Sequence, residues 1–589
     1  MLLRLPTAST LLILSLTLGA GPGQQASPET KDAQEETVFH SSARLVQVSV
    51  VVEDKKGNPV TGLKKEDFTV MDDGKPQQIA FFTSAAQAPT QAPVQAARLL
   101  PVNAFTNRYD LKGEDPPGTA TVVLFDVLNT SSQDQSYVRK EVIHFLQSLK
   151  PQDHVAVYGL TTHLFVLHEF TRDAEDLVAA ASRFSPKELA SFDATNTPDV
   201  DLVSLGSDPQ WAMLQNALNN ANGQIADLYN TNRVETTINA MEAIADHVAG
   251  IPGRKSLVWI SGGFPIRLGA ASIGKGGIWG PSGVGDANTE NRLPRPDRGD
   301  AKFDDLFKSV AESLNRANLA VYAIDAKGVQ LDPTMDPSKP GRRLTAQVRD
   351  TSVLNQEQDA RDSSKLLADR TGGLAFFGYN DVRGAVRRAF DDGRYAYNVA
   401  FYPNHGQWNG EYRKLKVQVK GEGLHLRYRT GYYAFPDRTD PSTVVAAALE
   451  QAAGSPLDAT NLGMIITGKP GEKGASGTVE LHIGIDPKQL LLRSSDGHRK
   501  GALDLFFLQR DAAGKSVAAE KQHIDLNLED KQYEYLAKAA MVLDRHLVIV
   551  PESTEIRVVL RDAGSGSLGS VTVPSAALAA NAPQTNQPN

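Results

Sequence analysis

The sequence predicts an α/β fold, in which a doubly wound, mostly parallel β-sheet is flanked by antiparallel β-modules that include a C-terminal β-sandwich. Apolar runs of strand length alternate with helical stretches between residues 119 and 393. This alternation is typical of parallel strands covered by helices on both faces. Short alternating strands separated by turn residues lie on either side. A chain of 589 residues is also too long for one core, so several domains are expected.

The central segment is predicted to be a βα unit with right-handed crossovers. Its predicted strands are 121–126, 154–161, 256–261, 319–325 and 374–378. Its predicted helices are 135–149, 172–184, 233–249, 302–317, 359–370 and 381–391. Two long insertions interrupt the pattern, 185–231 and 264–300, and loops of this length are usually either functional or disordered. Ligands of such a sheet bind where strand C-termini meet helix N-termini.

Turn clusters such as "KKGNP", "DDGK" and "DAAGK" delimit the predicted β-modules. The predicted organisation is a signal peptide (1–26), a linker (27–43), an N-terminal β-module (44–83), a linker (84–118), the α/β domain (119–393), a β-extension packed near the N-terminal module (394–435), a linker with a helix (436–459), a β-sandwich (460–575) and a disordered tail (576–589).

The N-terminus predicts export. Arg4 precedes the short apolar stretch "STLLILSLTLGA", a pattern typical of a secretory signal peptide, with an uncleaved anchor as the alternative. No later segment reaches the ~20 apolar residues of a membrane span, so none is expected after signal removal. The chain has no cysteine, which excludes disulfides and thiolate chemistry. Its net charge of −8 gives no reason to expect nucleic-acid binding. We expect a secreted or periplasmic protein of the cell envelope.

Common enzyme motifs are not satisfied. "GSGSLG" (564–569) leads into a strand instead of the helix that a phosphate site requires. "GAASIGKGG" (269–277) lacks the Ser or Thr of a P-loop. His163 and His168 are an odd number of residues apart in or near a strand, so their side chains point to opposite faces and cannot share a metal. No catalytic residues and no tightly bound cofactor are therefore predicted.

Tyrosines are concentrated in the predicted β-extension. They are Tyr395, Tyr397, Tyr402, Tyr412, Tyr428, Tyr432 and Tyr433. Cross-strand packing on a half-buried sheet is the favoured interpretation, and an aromatic platform for a ligand is the alternative.

The stretch "VVLFDVLNTSSQDQS" (122–136) is an apolar strand that ends in an acid and a cluster of hydroxyl and amide side chains. Together with the order of strands and helices, it resembles the von Willebrand factor type A (VWA) domain, a Rossmann-like fold. That family carries a metal-ion-dependent adhesion site, D-x-S-x-S, completed by a Thr from a later loop and an Asp after the fourth strand. The resemblance implies a Mg²⁺ or Ca²⁺ site at this strand end, since hard cations prefer oxygen ligands.

The family's ligands map incompletely onto this chain. The resemblance places the predicted metal site at Asp126, Thr130 and Thr237, with Thr236 as the alternative to Thr237. Asn129, Ser131 or Ser132 could replace a missing ligand, and Asn129 is included in the predicted site. Leu128 stands at the first Ser position, and Gly262 stands where the second acid should be. The site is therefore degenerate, and any Mg²⁺ or Ca²⁺ should bind weakly. The alternative is that Asp126 caps the following helix or accepts hydrogen bonds from loop amides.

Four phrases narrow the resemblance to acidobacterial-type VWA-related proteins of unknown function. They are "VVEDKKGNPVTGLKKEDFTVMDDGKPQQIAFF", "IPGRKSLVWISGGFP", "LADRTGGLAFF" and "LRYRTGYY". The implied function is a non-enzymatic binding or adhesion module that holds a protein or peptide partner in the envelope. The alternative is an envelope hydrolase that uses Asp126, Asp325 and acids of "DATNTPDVD" (193–201).

Overall fold

The structure is a computed structural model that describes residues 45–84, 100, 103–111, 120–150, 153–184, 209–263, 298–327, 347–378, 381–404, 407–470 and 477–579. All of these residues belong to one compact unit, residues 40–589. The predicted signal peptide (1–26), the linker after it (27–43) and the acidic segment 193–201 lie outside the described residues, as does most of the insertion 264–300.

The described strands are numbered β1 to β23 in chain order. They are Val46–Glu53, Phe68–Asp72, Lys75–Gln77, Ile79–Ser84, Ala104–Thr106, Ala120–Asp126, His154–Leu160, Leu164–Thr171, Lys255–Ser261, Leu319–Asp325, Leu374–Phe376, Tyr397–Phe401, Tyr412–Val419, His425–Arg427, Gly431–Tyr433, Met464–Pro470, Thr478–Ile485, Arg493–Ser495, His498–Arg510, Ser516–Glu529, Met541–Val548, Glu555–Asp562 and Leu568–Pro574.

The described α-helices are numbered α1 to α9. They are Ser132–Leu146, Ala174–Arg183, Pro209–Val248, Arg298–Arg316, Gln347–Thr371, Val382–Tyr395, Ser442–Gly454, Asp530–Ala539 and Ser575–Ala579. Helix α3 begins well before residue 233, so part of the predicted insertion 185–231 is helical. None of the helices in the described residues has the length and apolarity needed to cross a membrane.

A six-stranded sheet lies at the centre of the chain, in the order β11-β10-β9-β6-β7-β8. The neighbours from β11 to β7 pair in parallel. Strand β8 pairs antiparallel with β7, and the sequence-based prediction missed this strand. Only residues 161–163 join β7 to β8. Because a parallel partner needs a crossover of a dozen or more residues, a connection this short allows only a hairpin.

The predicted fold class, in which a doubly wound, mostly parallel sheet defines the chain, is wrong. Six of the 23 described strands belong to the central sheet, and that sheet is mixed; the other 17 form sheets in which every described pairing is antiparallel. The protein is therefore β-rich and largely antiparallel. The reason is local: turn residues connect the flanking strands closely, so neighbours in sequence return beside one another.

Helices cover both faces of the central sheet. On one face, α3, α4 and α5 pack on a core that includes Trp259 and Phe307. On the other face, α1, α2 and α6 pack on a core that includes Phe145 and Phe390. Strands β6, β9 and β10 are buried along their whole length. Each of these strands ends in a polar residue, namely Asp126, Ser261 and Asp325, at the carboxyl edge of the sheet.

The segments predicted as an N-terminal β-module and a β-extension share their sheets. Strand β1 pairs with β12 and β14, β4 pairs with β12, and β2 pairs with β13. One hydrophobic core, which includes Phe68, Tyr397 and Tyr432, fills the space between the two four-stranded sheets. Chain segments that are more than 300 residues apart thus form a single β-layered body.

The C-terminal region contains two further antiparallel sheets around one core. Strands β16, β17 and β21 form one of them, and strands β18, β19, β20, β22 and β23 form the other. Strand β5 joins the first sheet by pairing with β16. Because β5 comes from the segment predicted as the linker 84–118, part of that linker is a structural strand.

Candidate functional site at the carboxyl edge of the central sheet

Three polar residues are aligned across the carboxyl edge of the central sheet. In the parallel register, Asp126 at the end of β6 lies beside Ser261 at the end of β9, and Ser261 lies beside Asp325 at the end of β10. Each of these residues terminates a continuous apolar run, which fixes its place at the edge. The register therefore brings residues that are far apart in sequence into one row.

Asp126 is fully enclosed and accepts four hydrogen bonds. One carboxylate oxygen, Oδ1, accepts from the backbone N–H of Asn129 at 3.0 Å. The other, Oδ2, accepts from Asn129 Nδ2 at 2.7 Å, from Trp259 Nε1 at 2.9 Å and from Ser261 Oγ at 2.9 Å. This agrees with the alternative interpretation, in which Asp126 accepts hydrogen bonds from its own loop, and it adds donors from β9.

Thr130 joins the loop after β6 to the end of β9. Its hydroxyl donates to the backbone oxygen of Asp126 at 2.5 Å and accepts from the N–H of Gly262 at 3.0 Å. A Cβ atom at Gly262 would lie 2.5 Å from the backbone oxygen of Asn129, which is closer than real side chains approach. Position 262, where the VWA family that the sequence resembles has its second acid, is thus sterically closed to any side chain.

Helix α3 closes the cluster from the side. The Thr237 hydroxyl accepts from Asn129 Nδ2 at 2.8 Å and donates to the backbone oxygen of Arg233 at 2.8 Å. Arg233 Nε donates to Asn129 Oδ1 at 3.1 Å. The structure thus brings all four predicted site residues, Asp126, Asn129, Thr130 and Thr237, into one network, and every hydrogen bond named here stays within the chain.

The charges of the cluster balance internally. Burial raises the pKa of Asp126, and the hydrogen bonds from Asn129, Trp259 and Ser261 act against that rise. Burial lowers the pKa of Arg233, and the charge of Asp126 acts against that change. A guanidinium therefore compensates the carboxylate at the position where the VWA family, which the sequence resembles, has a metal ion.

The donor set does not fit a hard cation. Both oxygens of Asp126 already accept N–H or O–H groups, and Leu128 packs against the hydrophobic core instead of offering an oxygen. Among the residues that the structure describes, no group of three or more His, Asp or Glu side chains could hold a metal ion. The metal-binding role of Asp126, Asn129, Thr130 and Thr237 stays a prediction.

Asp325 lies beside a small cavity at the same edge. Its Oδ1 accepts from the backbone N–H of Lys327 at 2.9 Å, and Arg361 of α5 lies 3.9 Å from its Oδ2. Burial raises the pKa of Asp325, while the Lys327 and Arg361 charges lower it. The cavity holds about 20 Å³ and is lined also by Ser261 and Phe377. This volume accommodates about one water molecule.

Sequence reasoning missed Trp259, Ser261 and Arg233. Ser261 and Trp259 lie in "SLVWIS", which was predicted correctly as a buried strand. Their role depends on the register between β6 and β9, which the sequence does not reveal. A polar residue at the end of each parallel strand was the available signal for Ser261. Arg233 gave no signal, because its contact depends on how α3 crosses the sheet edge.

Comparisons with known proteins show no family for this chain. No family model matches its sequence, and no curated protein matches it significantly. Among solved structures, an aerotolerance-related membrane protein from Bacteroides fragilis is 12% identical with a TM-score of 0.22, over 46% of this chain and 98% of that one. BatB from Bacteroides thetaiotaomicron, a conserved hypothetical protein, is 14% identical with a TM-score of 0.21, over 46% and 97%.

A third similar structure contains three N-terminal domains of Mfa5, a type V pili tip protein from Porphyromonas gingivalis. It is 11% identical with a TM-score of 0.23, over 87% of this chain and 78% of that one. The three structures are those of an aerotolerance-related membrane protein, a conserved hypothetical protein and a pili tip protein. Since all three TM-scores are far below 0.5, these likenesses carry no argument about what this chain does.

Proposed function

We propose that this chain is a non-enzymatic binding module of the cell envelope that holds a protein or peptide partner at the carboxyl edge of its central sheet. The observation that carries the proposal is the closed hydrogen-bond network around Asp126. A network of this kind makes the edge rigid and leaves its acid committed to structural bonds. Envelope location rests on the predicted signal peptide at residues 1–26.

The same network argues against the hydrolase alternative. A general acid or base must reach its substrate within hydrogen-bonding distance. Asp126 is 1% exposed, and its oxygens are covered by Asn129, Trp259 and Ser261. Asp325 is separated from it by the whole of strand β9, which places their backbones roughly 10 Å apart. The two carboxylates therefore do not contact each other, and Asp126 is not accessible to a substrate beside Asp325.

The shape of the edge favours a broad surface over a pocket. A small-molecule site usually encloses about 300 to 1,000 Å³, whereas the cavity beside Asp325 holds about 20 Å³. Exposed and half-exposed polar groups surround it, including Arg361 with 44% of its side chain exposed. Partners that bind over such a surface gain affinity from many contacts spread across the interface.

Photo-crosslinking tests the position of the partner surface. The full chain carries a photo-reactive phenylalanine analogue at Arg361, on the carboxyl edge, or at Lys150, which is exposed just before β7 at the amino edge. Both proteins are irradiated in envelope extract of the host. We expect a discrete crosslinked product from the Arg361 position and none from Lys150. Equal products from both positions, or none from either, would contradict a partner at the carboxyl edge.

A second arm addresses catalysis directly. The purified chain and its Asp126→Asn variant are assayed on ester, glycoside and phosphate substrates with chromogenic leaving groups. We expect no turnover by either protein. Turnover by the wild type that is lost in an Asp126→Asn variant whose melting temperature shows it to be folded would establish the hydrolase alternative and reject the binding proposal.

A further inference from the structure

A groove of about 350 Å³ lies where the N-terminal β-layered body, helix α4 and the C-terminal domain meet. Its walls include the aromatic side chains of Trp408, Tyr432, Tyr433 and Phe435. These aromatics contact one another: the rings of Trp408 and Tyr432 are 6.3 Å apart, and those of Tyr433 and Phe435 are 5.6 Å apart. The volume is within the range of small-ligand sites.

Arg429 lies in the wall of this groove and is 8% exposed. Its backbone is tightly held, because a Cβ at Gly372 would lie 2.7 Å from Arg429 N, and the next residue, Thr430, donates its N–H to the backbone oxygen of Asp369. The guanidinium has no hydrogen bond and no carboxylate partner among the described residues, and its Nε is buried without an acceptor. Its Cζ lies 5.9 Å from the centroid of the Tyr432 ring, a longer and weaker contact than an ion pair. Burial lowers the pKa of Arg429 to about 10, so it remains charged at neutral pH.

The other buried arginines differ from Arg429 in having partners for the rest of the guanidinium, although Nε of Arg254 and Nε of Arg370 also lack an acceptor. Arg561 pairs with Asp440 and Asp504. Arg557 pairs with Asp458 and donates to the backbone oxygens of Ala452 and Leu457. Arg254 donates to the Gly372 oxygen and the Tyr322 hydroxyl, and Arg370 stacks over the Tyr412 ring at 3.5 Å.

An unpaired buried charge costs several kcal/mol of desolvation. Arg429 carries this cost without an internal anion. The charged residues that line the groove are three arginines, Arg316, Arg429 and Arg438, and one glutamate, Glu312, which gives a net charge of +2. Glu312 is itself engaged by Arg316 at 2.7 Å. The groove is therefore an electropositive site with apolar walls, and its innermost guanidinium lacks an acceptor.

We propose that this groove binds an organic carboxylate, with the carboxylate paired to Arg429 and an apolar or aromatic body against Trp408 and Phe435. The planar guanidinium matches a carboxylate with two parallel hydrogen bonds. A single negative charge suits one unpaired guanidinium, and the aromatic walls supply apolar contact area for the body. The carboxylate can come from a free small molecule or from the C-terminus of a peptide, since both present the same group.

The first experiment measures binding of N-acetyl-L-phenylalanine to the full chain by calorimetry. N-acetyl-L-phenylalaninamide, which lacks only the charge, is the matched ligand. We expect the acid to bind in the micromolar to millimolar range and the amide at least tenfold more weakly. Equal binding of acid and amide, or no binding of the acid at 10 mM, would overturn the proposal. Inorganic phosphate that binds as tightly as the acid would overturn it as well.

Variants locate the binding. Arg429→Met keeps the length and apolar volume of the side chain. We expect it to weaken binding of the acid at least tenfold and to leave binding of the amide unchanged. Arg499→Met, which removes a guanidinium stacked over Tyr533 outside the groove, should bind the acid as the wild type does. Wild-type affinity in Arg429→Met would reject the site. Melting temperature confirms that both variants are folded.

A third ligand separates the two sources. A pentapeptide with a C-terminal phenylalanine carboxylate is compared with N-acetyl-L-phenylalanine on the wild type. Tenfold tighter binding of the peptide assigns the groove to a chain terminus, and equal or weaker binding assigns it to a small molecule. The groove does not include Arg361, so crosslinking from the carboxyl edge can fail or succeed independently of this result.

Discussion

The carboxyl edge of the central sheet and the groove around Arg429 each contain a buried charge, and the chain treats the two charges in opposite ways. Asp126 is 1% exposed and accepts four hydrogen bonds from the chain. Arg429 is 8% exposed, and its guanidinium donates no hydrogen bond to any of the described residues. Burial is expensive in both places. The hydrogen bonds to Asp126 stabilise the end of the central sheet. Arg429 has no carboxylate partner among the described residues, and its charge is the one that we propose to pair with a ligand.

Removing the compensated charge should give the largest effect. Asp126→Ala leaves the donors of Asn129, Trp259 and Ser261 without their acceptor, and it leaves Arg233 beside an empty site. We expect the free energy of unfolding in urea to fall by about 3–5 kcal/mol. Asp305→Ala is the control, since the Asp305 side chain is 81% exposed, and it should change stability by less than about 0.5 kcal/mol. A loss below about 1 kcal/mol for Asp126→Ala would show that the network is not structural.

A partly compensated charge lies between these two cases. Glu242 on α3 accepts one hydrogen bond, from Ser309 at 2.7 Å, and lines a cavity of about 100 Å³ together with Asp246 and Arg438. Burial raises the pKa of Glu242 to about 7, and the nearby charge of Asp246 adds to the rise. Burial likewise raises the pKa of Asp246 to about 6.

The sign of the pH effect follows from that shift. The folded state holds the Glu242 proton more tightly than the unfolded state, whose pKa is the ordinary 4.5. The stabilisation is therefore complete below pH 4.5 and is lost as the pH rises to about 7. Glu242→Gln keeps an acceptor for Ser309 and cannot ionise, so we expect it to exceed the wild type in stability by about 1–3 kcal/mol at pH 8.

The comparison at pH 5 makes this test specific. There the advantage of Glu242→Gln should shrink to less than half of its value at pH 8. Glu450→Gln, on the exposed face of α7, is the matched control and should show the same difference from wild type at both pH values. An advantage of Glu242→Gln that does not grow with pH would mean that the carboxylate does not titrate in this range.

The sequence predicts the cluster around Asp126 better than the groove around Arg429. The run "TVVLFD" ends at Asp126, so the local pattern was sufficient for this residue. Thr237 was placed by the resemblance to the VWA family, with Thr236 as the alternative. Ser261 and Trp259 required the register between two parallel strands. The fold class failed for a different reason: close turn connections place 17 of the 23 described strands in antiparallel sheets, and strand β8, which follows a three-residue connection, was missed.

The groove around Arg429 could not be predicted from local patterns. Trp408, Arg429 and Ser565 belong to segments that are far apart in sequence. They meet only after the N-terminal β-layered body, helix α4 and the C-terminal domain pack together. The sequence did show the tyrosine cluster, and cross-strand packing describes part of it, since Tyr412 and Tyr433 lie 5.1 Å apart on paired strands. Nothing in the chain around residue 429 distinguishes an unpaired arginine from a paired one. That distinction depends on which carboxylates the tertiary structure places nearby.

A smaller effect is expected when the uncompensated charge is removed. Arg429→Met replaces a buried guanidinium without an acceptor by an apolar side chain of similar length. The ligand-free protein should therefore be as stable as the wild type or more stable by up to about 1 kcal/mol, because desolvation of the charge is no longer required. Urea unfolding without added ligand measures this difference in the free energy of unfolding. A loss above about 1 kcal/mol would indicate that the guanidinium has a structural acceptor, and it would remove the contrast with Asp126.

The smallest effect is expected from metal ions. Addition of 10 mM Mg²⁺ or Ca²⁺ should leave the melting temperature of the wild type unchanged within about 1 °C, since an ion that does not bind the folded state cannot stabilise it. Two features could cause this result: the positive charge of Arg233, and the hydrogen bonds that occupy both oxygens of Asp126. Arg233→Met removes only the first. If the hydrogen bonds decide, this variant should remain insensitive to both ions. A rise above about 2 °C in the wild type that Asp126→Ala abolishes would instead establish a working metal site.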